Sequence, residues 1–252
     1  MLAQRHQSHM ISLQQAVDEA IAFIRENEPP EGYYVGFSGG KDSIVMLELT
    51  RMSGVKHEAY YSATGIDPPE VVRFIRKHYS EVKWLRPKMS FWQGIKLKSP
   101  PLRMQRWCCD VLKKDPGKAI PLPNRLMGIR AEESTKRAAR GRIDRFRKYH
   151  QTIYKPIFGW KEWHIWEFIE ANSLPYPSLY DEGFHRIGCV VCPFLFHKNE
   201  SNFMIHKTRW PGLFKTFEHA CQEWWTDRSR RVPDQNHVTF EEWLKAYYRG
   251  FE

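Results

Sequence analysis

The stretch Ser38-Gly39-Gly40-Lys41-Asp42-Ser43 decides the fold of this chain. It follows an apolar run at residues 33–37 and precedes another at 44–49, an order that predicts a strand, a tight turn and a helix. Two adjacent glycines let a backbone approach an anion closely, and the start of the helix adds about half a positive charge. The lysine adds a full charge, and the two serines can donate hydroxyl groups. The stretch therefore predicts a phosphate-binding turn.

The turn differs from the common G-x-x-x-x-G-K-[ST] nucleotide loop. Val35 stands where that loop needs a glycine, and Asp42 follows Lys41 where it needs Ser or Thr. Because a carboxylate repels phosphate, we expect Asp42 to hold Mg²⁺ or to fix the turn. An ordinary glycine turn between a strand and a helix is the alternative interpretation.

Strand and helix patterns alternate on both sides of the turn. A helix is predicted from the cap Ser12 to Glu26, and further strands at 57–62, 82–85 and 126–129, whereas 91–106 has the composition of a basic loop. This alternation predicts an α/β fold with a parallel sheet and helices on both faces. Ligands of such sheets bind at the carboxyl ends of the strands, which would place Thr64 and Gly65 beside the glycine turn.

Size and composition predict one α/β domain at residues 1–195 and a helical, aromatic-rich extension at 196–252. The extension is expected to pack on the domain or to form a homo-oligomer contact. No run of 18 apolar residues occurs and residues 1–10 lack an apolar signal core, so we expect a cytoplasmic protein without membrane contact. The net charge of +10 favours anionic partners such as nucleotides or nucleic acid.

The segment 136–148 contains seven Lys or Arg residues and one acid, Asp144. It is predicted to be either a solvated basic loop or a mobile arm that contacts nucleotide or a phosphate backbone.

Four of the five cysteines form two pairs. Cys108 and Cys109 are adjacent, and Cys189 and Cys192 form a C-x-x-C. Four thiolates can hold a 4Fe–4S cluster or a structural zinc ion, and an adjacent pair is unusual for zinc, so we favour the cluster. Free or disulfide-bonded cysteines are the remaining alternative. Cys221 lies outside the pattern and is expected to be a buried structural thiol.

Several of these motifs resemble one known family. The SGGKDS turn resembles the pyrophosphate loop of the ATP pyrophosphatase (PP-loop) superfamily. The Thr64-Gly65 segment, the run Gly128-Ile129-Arg130-Ala131-Glu132-Glu133-Ser134, a Pro-Tyr-x-x-Leu-Tyr run at 175–180 and the two cysteine pairs resemble its PAPS/APS (sulfonucleotide) reductase branch. The resemblance covers residues 32–193.

The resemblance implies an adenine-nucleotide α-hydrolase-like fold and a set of site residues. ATP or a sulfonucleotide would be bound by Ser38, Gly39, Gly40, Lys41, Asp42, Ser43, Thr64, Gly65, Gly128 and Arg130. Lys41, Asp42, Arg130 and Arg137 would be catalytic, with Mg²⁺ as a cofactor. The resemblance also implies that Cys108, Cys109, Cys189 and Cys192 hold a 4Fe–4S cluster.

The chain departs from the reductases in one motif. Their catalytic cysteine lies in a C-terminal segment of the ECGxH type, which residues 247–252 do not match, and Cys221 lies in a different context. The remaining motifs suit an ATP pyrophosphatase serving sulfur transfer and resemble the DndC-like and SspD-like proteins of DNA phosphorothioation. That resemblance implies DNA, a cysteine desulfurase and other modification-system proteins as partners. The alternatives are a sulfonucleotide reductase that uses Cys221 or a partner's cysteine, and a nucleotide-binding subunit of a DNA-modification complex.

Overall fold

The computed structural model describes residues 12–146, 150–195, 200–231 and 239–249. The chain forms two compact units. Unit 1 comprises residues up to 61, 73–84 and 120–183, and unit 2 comprises residues 62–72, 85–119 and those from 184 onward. The predicted domain boundary at residue 195 lies inside unit 2 and stays a prediction.

Six strands form one sheet in the described part of the chain. They are β1 Tyr33–Phe37, β2 His57–Ser62, β3 Lys83–Leu85, β4 Asn124–Met127, β5 Ile143–Phe146 and β6 Gln151–Tyr154, in the order β3-β2-β1-β4-β6-β5. β1 pairs in parallel with β2 and β4, and β4 with β6, whereas β5 is antiparallel to β6. The predicted α/β fold with a mainly parallel sheet is confirmed.

The helices lie before, between and after these strands. They are α1 Leu13–Glu26, α2 Lys41–Ser53, α3 Pro69–His78, α4 Phe91–Leu97, α5 Asp115–Lys118, α6 Thr135–Ala138, α7 Glu162–Ala171, α8 Glu200–Arg209, α9 Pro211–Arg231 and α10 Phe240–Arg249. The Ser12 hydroxyl accepts the Gln15 N–H at 3.2 Å, as the sequence predicts for the first cap. α2 ends at Gly54, whose φ of 72° lies in the left-handed region that glycine adopts without strain.

α2 holds the glycine turn on a rigid base. Its side chains are buried on most of its circumference, including Ile44, Val45, Met46, Leu47 and Leu49. It packs on α1, on α7 and on the central strand β1, in which Val35 is completely buried. A helix enclosed in this way fixes the position of its own first turn.

The prediction of a loop over residues 91–106 is wrong at its start. Residues 91–97 form α4, because Ser90 and Gln93 make a reciprocal capping box and Phe91 and Ile95 are buried. The indole of Trp107 covers Gly94 so closely that a Cβ there would lie 2.1 Å from the ring. A helix of two turns is too short to show a clear apolar period in the sequence.

The prediction of a loop or arm at 136–148 also needs correction over its described residues, 136–146. They contribute to α6 and to the edge strand β5. The segment is ordered because the buried Lys155 ammonium lies 3.0 Å from Asp144 Oδ2 and also donates to the Gly141 carbonyl. Residues 147–148 lie outside the described residues. The predicted strand at 126–129 lies two residues earlier, as β4.

Unit 2 contains α4, α5, α8, α9 and α10, and a π-helical turn at Cys109–Lys114. A capping box precedes α10, because the Thr239 hydroxyl accepts the Glu242 N–H and the Glu242 carboxylate accepts the Thr239 N–H. The Tyr247 hydroxyl of α10 donates to the Pro101 carbonyl at 2.7 Å. None of the helices in the described ranges has the length and apolarity to cross a membrane.

Candidate functional site

The glycine turn of unit 1 has the backbone geometry of an anion-binding loop. Gly39 has a φ of 73°, and Gly40 caps α2 with extended backbone. The Ser43 hydroxyl donates to the Gly40 carbonyl at 2.8 Å and accepts the Ser38 N–H at 3.1 Å. The two serine hydroxyls lie 3.1 Å apart. The turn is therefore tied to itself before any ligand binds.

Lys41 is buried beside aromatic rings and one carboxylate. Its Nζ lies 3.1 Å from Glu162 Oε1, 5.0 Å from the ring centre of Tyr180 and 5.8 Å from that of Trp166. Its backbone N–H donates to the Tyr180 hydroxyl at 2.9 Å. Burial raises the pKa of the Tyr180 phenol, which keeps this acceptor neutral. Tyr180 and the rings thus fix the lysine at the start of α2.

Arg130 joins the turn to the end of β4. Its Nε lies 2.5 Å from Asp42 Oδ1, and its Nη1 lies 2.9 Å from Glu132 Oε2. Glu132 Oε2 also accepts the N–H of Glu162 at 3.0 Å. A cation–carboxylate network therefore connects the start of α2, the segment after β4 and the start of α7.

Gly128 permits this junction. A Cβ at Gly128 would lie 2.5 Å from the carbonyl oxygen of Asp42, so only glycine lets β4 approach α2 so closely. The guanidinium of Arg137 pairs with Glu133, whose carboxylate also accepts the Arg130 N–H at 3.1 Å. The structure thus brings Gly128 and Arg130 to the turn and connects Arg137 to the same segment.

Sequence reasoning missed three contributors to this site: Glu162, Trp166 and Tyr180. Tyr180 lies in the Pro-Tyr-x-x-Leu-Tyr run that supports the family resemblance, but nothing in that run indicates a hydrogen bond to Lys41. Glu162 is the first residue of α7, where acidic side chains are common for reasons of helix stability. No local signal could assign either residue to the turn, since each is more than a hundred residues away in sequence.

The four paired cysteines all lie in unit 2. A hydrogen bond from Cys108 lowers the pKa of Cys109 to about 6, helped by the positive charges of Lys113 and Arg106, and that bond together with burial raises the pKa of Cys108. The charges of Cys189 and Cys192 also act on Cys108. The thiols are therefore near enough to influence one another's ionisation, and we call them the four-thiol group.

Lys113 and Asp67 flank the four-thiol group. Burial raises the pKa of Cys189 to about 11, against the opposing charge of Lys113. The Cys189 Sγ lies 3.9 Å from Asp67 Oδ1, and the charge of Cys189 raises the pKa of Lys113. Asp67 Oδ2 in turn accepts the hydroxyl of Thr64 at 2.8 Å, so the Thr64 segment is tied to the thiols. The expected placement of Thr64 and Gly65 beside the glycine turn stays a prediction.

The assignment of Cys108, Cys109, Cys189 and Cys192 as metal ligands stays a prediction. Within the described ranges, no three His, Cys, Asp or Glu side chains stand close enough together to hold a single metal ion. The composition of the four-thiol group nevertheless suits a soft metal centre, because thiolates are the ligands that iron–sulfur clusters and zinc prefer.

Cys221 is completely buried in α9, as expected for a structural thiol. Burial raises its pKa well above the ordinary thiol range.

Comparisons with known proteins agree with the fold and the motifs. Residues 32–195 match the phosphoadenosine phosphosulfate reductase domain. Protein MJ0066 of Methanocaldococcus jannaschii is 32% identical over 240 residues, which are 90% of this chain and 47% of that protein. The adenosine 5'-phosphosulfate reductase of Shouchella clausii is 25% identical over 71% of this chain and 77% of its own length. The chain spans about half the length of the first two curated relatives, 47% and 44%.

Solved structures share the architecture at low identity. The PAPS reductase from Candida auris, solved as a phosphate complex, superposes with a TM-score of 0.55 and 18% identity over 72% of this chain and 97% of that chain. The FMN adenylyltransferase of Candida glabrata gives a TM-score of 0.51 and 15% identity over 77% of this chain and 71% of that chain. These likenesses support the fold, and the family match covers well over half of the chain. The chain belongs to the phosphoadenosine phosphosulfate reductase domain family, within the PP-loop type of α/β fold.

Proposed function

We propose that this chain is an ATP pyrophosphatase that cleaves ATP to AMP and pyrophosphate and thereby activates the DNA backbone for sulfur transfer. The observation that carries the proposal is the turn at the start of α2, where Lys41 and Arg130 meet two glycines and two serines. That set of groups matches the charge and size of a pyrophosphate leaving group.

The reaction is an in-line displacement at the α-phosphorus. A phosphate oxygen of the acceptor forms the new P–O bond, the bond from the α-phosphorus to the bridging oxygen breaks, and its electron pair leaves with pyrophosphate. Sulfide then attacks the acceptor phosphorus and displaces AMP, which takes the acceptor oxygen with it. No electrons are gained or lost in either step.

The chain's own residues bind and orient the leaving group. Backbone N–H groups of the turn and the hydroxyls of Ser38 and Ser43 face the β- and γ-phosphates, and Lys41 and Arg130 stabilise the negative charge that develops on pyrophosphate. Asp42 is the residue that would hold Mg²⁺, because Mg²⁺ prefers carboxylate oxygens and the Asp42 side chain at the turn is partly exposed. Arg137 acts indirectly, because it pairs with Glu133, whose carboxylate accepts the Arg130 N–H and so helps to orient Arg130.

Both principal cations are held by carboxylates. Lys41 pairs with Glu162, and Arg130 pairs with Asp42 and Glu132. A nucleotide must therefore exchange its phosphates for these carboxylates. The carboxylates keep the buried cations paired until ATP binds, since an isolated charge is costly to bury.

A 4Fe–4S cluster is the cofactor that best suits the four-thiol group. A zinc ion with Zn–S bonds of about 2.3 Å would need its four sulfurs about 3.8 Å apart. Cys108 and Cys109 are adjacent in the sequence, an arrangement that is unusual for zinc, so we favour the cluster. When bound, the cluster would supply a fixed charged group that orders the loops carrying Cys108, Cys109, Cys189 and Cys192.

The family also contains sulfonucleotide reductases, so that chemistry is the alternative. It needs a nucleophilic cysteine outside the metal ligands, and the remaining cysteine of this sequence is Cys221. Its thiol is completely buried and its raised pKa disfavours the thiolate that would attack sulfur. The position of Cys221 therefore disfavours this residue as the nucleophile of a reductase.

DNA and a cysteine desulfurase are the proposed partners, as the resemblance to phosphorothioation proteins implies. The net charge of +10 suits a nucleic acid acceptor. The desulfurase would supply sulfur as a persulfide, and a thiol reductant would release it as the sulfide that displaces AMP.

The test uses protein purified without oxygen. One incubation contains Mg-ATP, DNA and sulfide, and the other contains APS or PAPS with a thiol reductant. AMP and pyrophosphate from the first incubation are the expected products. Sulfite from the second would overturn the proposal in favour of reduction, and ATP binding without turnover in the presence of DNA, sulfide and a desulfurase would indicate a nucleotide-binding subunit.

A further inference from the structure

An aromatic side chain with two guanidinium groups lies exposed on unit 2. Phe194 is 47% exposed, and the guanidinium carbons of Arg103 and Arg106 lie 5.2 Å and 4.6 Å from the centre of its ring. We call these three residues the Phe194 platform. Met104, between the two arginines, is 94% exposed. The sequence gives no indication of this arrangement, since Phe194 is far from the arginines along the chain.

The platform stands on the two loops that carry the four-thiol group. The Leu195 N–H donates to the Cys192 carbonyl at 2.9 Å and closes the turn that contains Phe194. The Cys109 N–H donates to the Arg106 carbonyl at 3.0 Å, which connects the loop that carries Arg103 and Arg106 to the Cys108-Cys109 pair. The indole N–H of Trp107 donates to the Ser99 carbonyl at 2.9 Å and anchors the same loop. The position of the platform is therefore fixed relative to the thiols.

The charge of this region selects an anionic partner. Residues 96–114 include six Lys or Arg residues and one acid, Asp110. Asp110 itself pairs with Lys114 at 2.7 Å. An exposed ring flanked by guanidinium groups adds a specific requirement, because a flat π-surface with adjacent cations binds a stacked base and its phosphates together.

We propose that the Phe194 platform binds single-stranded nucleic acid, stacking one unpaired base on Phe194 while Arg103 and Arg106 contact the flanking phosphates. Both guanidinium groups lie over the half-exposed Phe194 ring, so an acidic protein surface would satisfy the arginines but would have no use for the ring itself. Duplex nucleic acid would offer no base to stack on the ring, because its bases are stacked on each other.

This inference rests on the proposed function and deepens it, because it names the form of nucleic acid that would accept the sulfur. Its test, however, measures binding without ATP. The two proposals can therefore fail separately: loss of ATP cleavage leaves strand binding unaffected, and loss of strand binding leaves the site in unit 1 intact.

The experiment measures the fluorescence anisotropy of a labelled oligonucleotide of about 12 nucleotides with the full chain, as a single strand and as a duplex. Phe194→Leu is expected to weaken single-strand binding roughly tenfold, because it keeps an apolar side chain but removes the stacking surface. Phe194→Tyr, which keeps the ring, should bind like the wild type. Arg103→Ala should weaken binding. It should also make the slope of log K against log salt less steep by about one, which corresponds to the loss of one phosphate contact.

Controls come from the same chain. Met52→Ala removes an exposed apolar side chain from unit 1, 41% exposed, and should leave binding unchanged. Equal affinity of Phe194→Leu and wild type, tighter binding of duplex than of single strand, or capture of an acidic protein with no oligonucleotide binding would each overturn the proposal.

Discussion

Replacing Glu162 by Gln should tighten the binding of pyrophosphate. Glu162 is the carboxylate that holds the Lys41 ammonium, with Oε1 3.1 Å from Nζ. Pyrophosphate must break this ion pair before the lysine can contact it. Glutamine keeps the size of the side chain and removes the negative charge, so the lysine becomes available at lower cost.

The size of the effect follows from the geometry of the pair. At 3.1 Å and an effective dielectric constant of about 20, the attraction is about 5 kcal/mol before desolvation is considered. The Lys41 side chain is 5% exposed but that of Glu162 is 47% exposed, so water weakens the interaction. Partly exposed pairs contribute about 1 kcal/mol net. A gain of about 1.4 kcal/mol corresponds to a tenfold lower Kd, and we expect a decrease of roughly five- to tenfold.

Calorimetric titration of pyrophosphate without Mg²⁺ measures this Kd. The matched control is Glu167→Gln, which changes the net charge equally on the same helix but lies on its exposed face. The control should bind pyrophosphate like the wild type. If Glu162→Gln binds no more tightly than Glu167→Gln, the pair does not compete with the ligand, and the account of carboxylate exchange fails.

Three further predictions concern activity, stability and metal content. Lys41→Ala should abolish ATP cleavage while the circular dichroism spectrum stays that of the folded chain, and a wild-type rate would remove the turn from the mechanism. Gly128→Ala should lower the free energy of unfolding by about 1–3 kcal/mol, because its Cβ would lie 2.5 Å from a backbone oxygen of α2. The control Gly159→Ala, with open space around its Cβ, should change it by less than about 0.5 kcal/mol in urea unfolding. Cys192→Ser should lose most bound iron after anaerobic reconstitution whereas Cys221→Ser retains it, and iron loss from both or from neither would contradict the assignment of the ligands.

The fold was predictable because its decisive signals are local. The apolar run of β1, the glycine turn and the following helix lie within about twenty residues, and glycine and capping residues mark the ends of α1 and α2. Local patterns were insufficient where tertiary contacts determine the structure. α4 is short and depends on Trp107 packing over Gly94, and β5 depends on pairing with β6 and on Lys155.

The candidate site was predictable only in part for the same reason. The turn and Arg130 could be identified because their residue types carry charge in a recognisable order. Glu162 and Tyr180 reach Lys41 from α7 and from the segment after it, and only the folded chain brings these groups together. The Phe194 platform likewise joins two loops about ninety residues apart, a separation at which residue type alone carries no information about contact.

Identifying the nucleotide products shows which bond of ATP is broken. Purified protein, a single-stranded oligonucleotide and sulfide would be incubated with Mg-ATP, and the nucleotide products separated and identified. The account predicts AMP and pyrophosphate in equal amounts, and it predicts turnover of β,γ-imido-ATP but not of α,β-methylene-ATP. Release of ADP and phosphate, or turnover of the α,β-methylene analogue, would contradict it.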